Sequence, residues 1–191
     1  MRRLGALALA GLWGCATLKP APAPAPRPAP PKAVRGSPLL SPREAGFHAT
    51  MTQQISLVKG SSRYDALGVV EISSSVFTVV GMGPLGNRLV ALSWDGVAVT
   101  KELDASVPRM LPVEDILRQT QLVYWPVEAL RPALLPGWEL NLQPGRRELL
   151  DHGKVTIAIT YLGDRFTDPI EVEDRAVGYK IIIKTLELSN E

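Results

Sequence analysis

Two hydrophobic rhythms divide this chain. Residues 52–59 (TQQISLVK) place Ile55 and Leu57 on one side of an extended segment, the period-two signature of a half-buried strand. Gly60-Ser61-Ser62 is a turn, and residues 64–73 (YDALGVVEIS) form a second strand. Residues 76–80 form a third, followed by the glycine-rich loop GMGPLG, a fourth strand ending at Trp94, an Asp95-Gly96 turn and a fifth strand over 97–103. Five strands with short connections predict an antiparallel meander. The period then changes. Between residues 112 and 125, Val113, Ile116, Leu117, Val123 and Tyr124 fall on one helical face, with Thr120 a partial match. Pro112 suits the first helical position, Glu114 and Asp115 suit the positive end of the dipole, and Pro126 ends the helix. A short second helix over 127–134 stops at Pro136-Gly137. Strands resume at 138–143, 147–150, 154–161, 170–173 and 179–188.

Five strands, two helices and five more strands predict an α+β fold: an open antiparallel half-barrel sheet wrapped over a central helical lid, with apolar lining between them. Strand alternation and the helix face nominate Leu67, Val69, Val79, Val90, Leu92, Ile116, Leu117, Ile157 and Ile183 as cavity lining. Val69-Val70 and Val79-Val80 are apolar on both sides, so periodicity alone leaves their parity open.

The amino terminus belongs to neither rhythm. Met1-Arg2-Arg3 precedes an apolar run over 4–12 (LGALALAGL), shorter than the ~20 apolar residues needed to span a bilayer. It has the shape of a secretory signal peptide. Leu12-Trp13-Gly14-Cys15 resembles the lipobox of bacterial lipoproteins, although Trp13 is bulky for that motif. The resemblance implies acylation of Cys15 with three chains, permanent attachment, and, with Ala16 rather than aspartate following, an outer-membrane destination. From 19 to 32, proline alternates with alanine, which blocks helix and sheet and leaves polyproline II as a semi-rigid tether. The expected organisation is therefore a signal peptide over 1–14, an acylated cysteine and tether over 15–44, and a folded domain over 45–191.

Composition narrows the function. The hydrophobic fraction is 46%, ordinary for a globular chain, and the formal net charge of +2 comes from scattered basic residues, which excludes a nucleic-acid stripe. One cysteine and two histidines exclude an internal disulfide and every cysteine-based zinc pattern. Gly81, Gly83 and Gly86 spell G-x-G-x-x-G, but a strand rather than a helix follows, so the motif fails as a dinucleotide cradle. His48 and His152 read as solvated surface residues, and no serine lies in G-x-S-x-G. Asp164, Asp168, Glu171, Glu173 and Asp174 cluster without calcium-loop spacing and read as a solvated loop. No enzyme activity, cofactor or metal is expected.

Several local matches, in shared order, are similar to the outer-membrane lipoprotein acceptor LolB and the uncharacterised lipoproteins related to it. Pro84-Leu85-Gly86 between two strands resembles the P-L-G of the LolB protruding loop. Pro126 to Arg131 (PVEALR) and Leu135-Pro136-Gly137 resemble the P-x-x-x-L-R and L-P-G of its lid region. Gly153-Lys154 and Gly178-Tyr179-Lys180-Ile181 match in position. The long Pro/Ala tether departs from LolB. The resemblance implies an apolar cavity for lipid or lipoprotein acyl chains, a LolA-like periplasmic carrier as partner, and a monomer facing the periplasm. It also implies a membrane-contact loop of Met82, Pro84, Leu85 and Gly86, with Leu85 in the position of the leucine needed for placement. Without the resemblance, the favoured expectation is that Leu85 folds back on its own hairpin. The competing expectation is a non-catalytic envelope scaffold whose groove binds a protein.

Overall fold

The computed structural model describes residues 36–105, 107 and 113–190, with side chains placed from Asp115 onward in the helix. The signal peptide, the lipobox with Cys15, the Pro/Ala run and Pro112 lie outside the described residues. Ten strands form one antiparallel sheet: β1 (Ala49–Lys59), β2 (Ser62–Ile72), β3 (Phe77–Met82), β4 (Arg88–Trp94), β5 (Val99–Leu103), β6 (Trp138–Gln143), β7 (Arg146–Asp151), β8 (Lys154–Tyr161), β9 (Ile170–Asp174) and β10 (Tyr179–Ser189). Their spatial order is β5-β4-β3-β2-β1-β10-β9-β8-β7-β6. Two five-stranded meanders thus meet at the β1–β10 seam, and β5 and β6 are the free edges of a sheet that does not close.

Helix α1 (Val113–Tyr124) and the short α2 (Val127–Leu130) connect those two edges, and a 3-10 turn (Arg131–Ala133) completes the connection. The apolar period expected for residues 112–125 yields α1. The second expected helix is only one turn of α before it tightens, because Pro132 removes an amide donor within it.

The curvature of the sheet follows from α1. The helix packs on β4, while Arg147 of β7 reaches its last carbonyls. Between β4 and β7 lie seven inter-strand steps, roughly 34 Å if the sheet were flat. A helix is only ~10–12 Å across. Contact with both strands requires the sheet to bend around the helix. The inner face carries the core: Met51, Val70, Ile72, Phe77, Val79, Val90, Leu92 and Trp94 from one meander, and Leu140, Leu149, Ile157, Ile159, Ile170 and Val172 from the other. Leu117, Leu122, Val123, Tyr124 and Trp125 lie between them.

The folded unit begins upstream of Ala45. Ser37, Leu40 and Pro42 are buried. The Gln121 amide explains this: its oxygen accepts from Leu40 N (3.0 Å) and its nitrogen donates to Leu40 O (2.8 Å), as a neighbouring strand would. Trp94 Nε1 also donates to Leu40 O, and Arg118 donates to Ser37 O. Residues 36–42 therefore form a strap across the mouth between the two sheet edges. A tether read from composition alone misses it, because the partners are polar side chains some 80 residues away in sequence.

Candidate functional site

Side-chain parity decides which residues look inward. In the β1–β2 register, Met51 pairs with Val70, Gln53 with Gly68 and Ile55 with Ala66. The pairing continues to β3 through Val70–Val79 and Gly68–Gly81. These residues share the inner face. Leu67 and Val69 pair with Met82 and Val80 and alternate with buried neighbours, so they lie on the outer face. The parity expected for β2 is thereby corrected by one residue. Leu67 is 40% exposed. The physical reason is that β2 is apolar on both faces around Val69-Val70, where alternation cannot choose.

Of the other nominated lining residues, Val79, Val90, Leu92, Leu117 and Ile157 are buried in the packed core. Ile116 and Ile183 are half-buried beside it. The inner face is therefore not uniformly hollow. Its deep end is filled, and among the described residues all but one of the buried polar side chains there are partnered: Gln53 Nε2 donates to Tyr124 Oη at 2.6 Å and to Thr185 Oγ1. Tyr161 Oη donates to Val123 O at 2.7 Å. Burial pushes both tyrosine hydroxyls up to about 12, so both are neutral donors and acceptors. Trp125 Nε1 is buried with no acceptor among the described residues.

Nearer the opposite rim the inner wall is looser. Ile55, Ala66, Ile181 and Ile183 are half-buried and Tyr64 is exposed, all on the inner face by register. Sequence reasoning missed Ile55, Ala66 and Ile181 as wall residues, although the alternation of Ile55 with Leu57 was the signal that could have found the first. The Gly68–Gly81 pair thins this wall. A Cβ on Gly68 would meet Ile55 Cδ1 at 2.5 Å, and one on Gly81 would meet Val90 Cγ1 at 2.7 Å, so these two side chains lean across the glycines. The wall is mostly apolar, with Tyr64 at its exposed end.

The β3–β4 hairpin stands on the same rim. Gly86 N donates to Gly83 O and Gly83 N donates to Asn87 O, both at 2.9 Å. Gly86 has φ +76°, and His152 is the only non-glycine with positive φ among the described residues. Leu85 therefore has negative φ, which makes this a type I turn with Pro84 and Leu85 at its centre and Gly86 as the left-handed bulge residue. Pro84 pre-sets φ at the first central position and Gly86 takes the conformation that L-residues resist. Leu85 is 94% exposed and does not fold back on its hairpin. Pro84 and Gly86 are exposed beside it, while Met82 is half-buried on the outer face at the base.

The remaining candidates disperse. His48 and His152 are exposed. The acidic cluster separates: Asp164 and Asp168 close a turn on backbone amides, Glu171 pairs with Lys180, Glu173 pairs with Arg175, and buried Asp174 caps the β9–β10 turn. Among the described residues, no group of three His, Cys, Asp or Glu could hold a metal ion. No helix among them is long and apolar enough to cross a membrane.

An open antiparallel sheet bent around a buried helix, with an exposed apolar hairpin tip on its rim, places the protein in the α+β class. The chain belongs to the family described as "Protein of unknown function (DUF3261)", whose family model matches residues 50–187. No functionally curated protein matches the sequence. Among solved structures, it is similar to a domain named as a candidate outer membrane lipoprotein-sorting protein from Vibrio parahaemolyticus. That similarity is 11% identity over 76% of this chain and 86% of the other, with a TM-score of 0.43. It is also similar to a DUF1329 family protein from Desulfovibrio piger, at 11% identity, the same coverages and a TM-score of 0.40.

Proposed function

We propose that this protein is an outer-membrane lipoprotein that binds acyl chains of lipids or lipoproteins against the inner wall of its half-barrel and helps place them in the membrane. The observation that carries the reading is Leu85, a large apolar side chain held 94% exposed on a rigid turn at the rim where the inner wall is loosest. Inserting a leucine among acyl chains is worth roughly 1.5–3 kcal/mol. The lipobox ending at Cys15 and the local resemblances to LolB supply the membrane context. Helices α1 and α2 act as the lid, and cargo enters beside Ile55, Ala66 and Ile183. A LolA-like periplasmic carrier would deliver it. The protein works without a cofactor and without bond-making chemistry. Leu85→Glu tests the division of labour. It should abolish transfer of a lipoprotein into acceptor membranes while leaving binding of a fluorescent fatty acid unchanged. Equal loss of both activities would remove the membrane-contact role of Leu85.

A further inference from the structure

The sheet ends in two free edges, β5 and β6, and their residues differ in kind. On β5, Lys101 stands opposite the buried Leu92 and so lies on the inner face, an inward charge of the sort that keeps an edge from pairing. Between Trp138 and Gln143, β6 carries no inward charge, no proline and no bulge. Leu142, on the inner face opposite Arg147, is 42% exposed, and Glu139, Asn141 and Gln143 are exposed on the outer face.

The β6–β7 hairpin decides which main-chain groups this edge offers. Gln143 pairs with Arg146 across Pro144-Gly145, and the residues that close a two-residue loop bond to each other. Odd-numbered residues of β6 therefore turn their N–H and C=O towards β7, and even-numbered ones turn theirs away. Two bonds outside the ladder agree: Gly137 O accepts from His152 N on the β7 side, and Trp138 N donates to Leu135 O on the other. The N–H and C=O of Leu140 and Leu142 thus face outward, with no strand beyond them.

We propose that a second copy of this chain pairs at this edge, β6 against β6, antiparallel and centred on Asn141, so that two half-barrels share one sheet. Opposed residues share a face and faces alternate along a strand, so a twofold pairing must centre on a residue. Centring on Leu142 sets Leu140 opposite the partner's Pro144, and proline has no N–H to give. Centring on Leu140 sets Leu142 opposite the partner's Trp138, and the Trp138 N–H of each chain already goes to its own Leu135 O. Centring on Asn141 lets both groups of Leu140 bond both groups of the partner's Leu142, and the converse, so every free group is used. Glu139 then meets the partner's Gln143, a carboxylate beside an amide donor, and no like charges oppose. The leucines adjoin on the inner face and cover the open side of Leu142. An edge of six residues spans only about 20 Å, whereas stable interfaces bury about 800 Å² per partner. The pairing therefore relies on both chains being held on one membrane, which raises their effective concentration, and to that extent rests on the lipid anchor proposed above. It departs from the monomer that the resemblance implies.

Single cysteines in the full-length chain, oxidised in the membranes that carry it, test the register. Asn141 and the partner's Asn141 form a non-hydrogen-bonded pair with Cα atoms about 4.5 Å apart, inside the ~4.4–6.8 Å reach of a disulfide. Asn141→Cys should give a disulfide-linked dimer well above the wild-type background, where Cys15 is the sole cysteine. Glu139→Cys alone should not, because its symmetry mate is offset by roughly 13 Å along the strand. Co-expressed with Gln143→Cys, it should. Leu142→Pro removes an N–H that β7 does not use, which an edge strand tolerates, and should cut the Asn141→Cys dimer several-fold. Leu142→Lys serves the same purpose if the proline variant melts early. No dimer from Asn141→Cys, an equal yield from Glu139→Cys alone, or full yield in both Leu142 variants overturns the proposal. So does an Asn141→Cys adduct with a different protein in place of the dimer. Fractionation of the wild type reads the anchor separately: a chain in the soluble fraction removes the lipoprotein reading, and a membrane-bound Asn141→Cys chain without dimer removes this one.

Discussion

Leu85 contributes little to the fold that presents it. Its turn is held by Pro84, Gly86 and two backbone hydrogen bonds, so replacing its side chain removes no core contact. Leu85→Ala should shift stability by less than about 0.5 kcal/mol in urea unfolding, the usual range for exposed positions. A larger loss would show that the side chain packs. Gly68 is the opposite case. A Cβ there would meet Ile55 Cδ1, the end of a half-buried side chain, so Gly68→Ala should cost about 0.5–1.5 kcal/mol as Ile55 is pushed off its rotamer. Ile55→Val removes the colliding atom, so the double variant should recover part of that loss in a double-mutant cycle; strict additivity would contradict the contact. Some of this was legible from residues alone. The Pro-Leu-Gly turn was legible, but the residues alone favoured a leucine folded back on its hairpin; the resemblance to the LolB loop pointed to an exposed one, and Leu85 is 94% exposed. The inward parity of β2 was not legible, because Leu67, Val69 and Val70 are all apolar and only the register with Met82, Val80 and Val79 separates them.

At the scale of the element, α1 was visible in its 3.6-residue period, yet its partners were not. The sequence pattern marks Ile116, Leu117 and Val123 but says nothing of Arg118, Gln119 and Gln121, which are equally buried. Their burial is tolerated because each finds a distant partner: Ser37 O, Asp174 and Tyr179, and the Leu40 backbone. Gln121→Leu keeps the volume but leaves Leu40 N without its acceptor and removes a donor to Leu40 O. A cost of about 1–3 kcal/mol is expected, with faster hydrogen exchange confined to residues 36–42; unchanged exchange there would contradict the strap. The other end of α1 depends on Arg147, whose guanidinium donates to Leu122 O at 3.0 Å and Trp125 O at 2.8 Å, where the helix dipole is negative. Desolvation lowers its pKa, although it remains the cation that closes this terminus. Beside it, Tyr161 and, deeper, Tyr124 set an alkaline limit. Their folded pKa of about 12 lies above the reference 10.0, because burial favours the neutral form. Their contribution to stability is therefore complete below about pH 10 and is lost as pH rises through 12. Melting temperature measured across that window should fall steeply in the wild type and less so in Tyr124→Phe; equal slopes would show that Tyr124 does not titrate with unfolding.

For the whole molecule, the element order was legible because each strand has its own alternation and each turn its Gly, Pro or Asp. Strand pairing across the β1–β10 seam was not, since Ile55 and Ile183 meet across 128 positions that no local pattern spans. The filled deep end of the half-barrel was also hidden. Apolar strand residues look the same whether they line a void or pack on Trp125 and Phe77, and the volume of two aromatic rings decides between them. The half-buried wall by the Leu85 rim is where acyl chains are proposed to bind. Mass spectrometry of the acylated chain, extracted from its native membrane in a lipid-free polymer and exchanged into buffer, tests that most directly when paired with Ile55→Asp on the inner wall. Co-purified lipid or lipoprotein acyl chains are expected on the wild type, and their loss from the variant at unchanged fold. A wild-type protein free of bound acyl chains that also fails to take up a fluorescent fatty acid would contradict it.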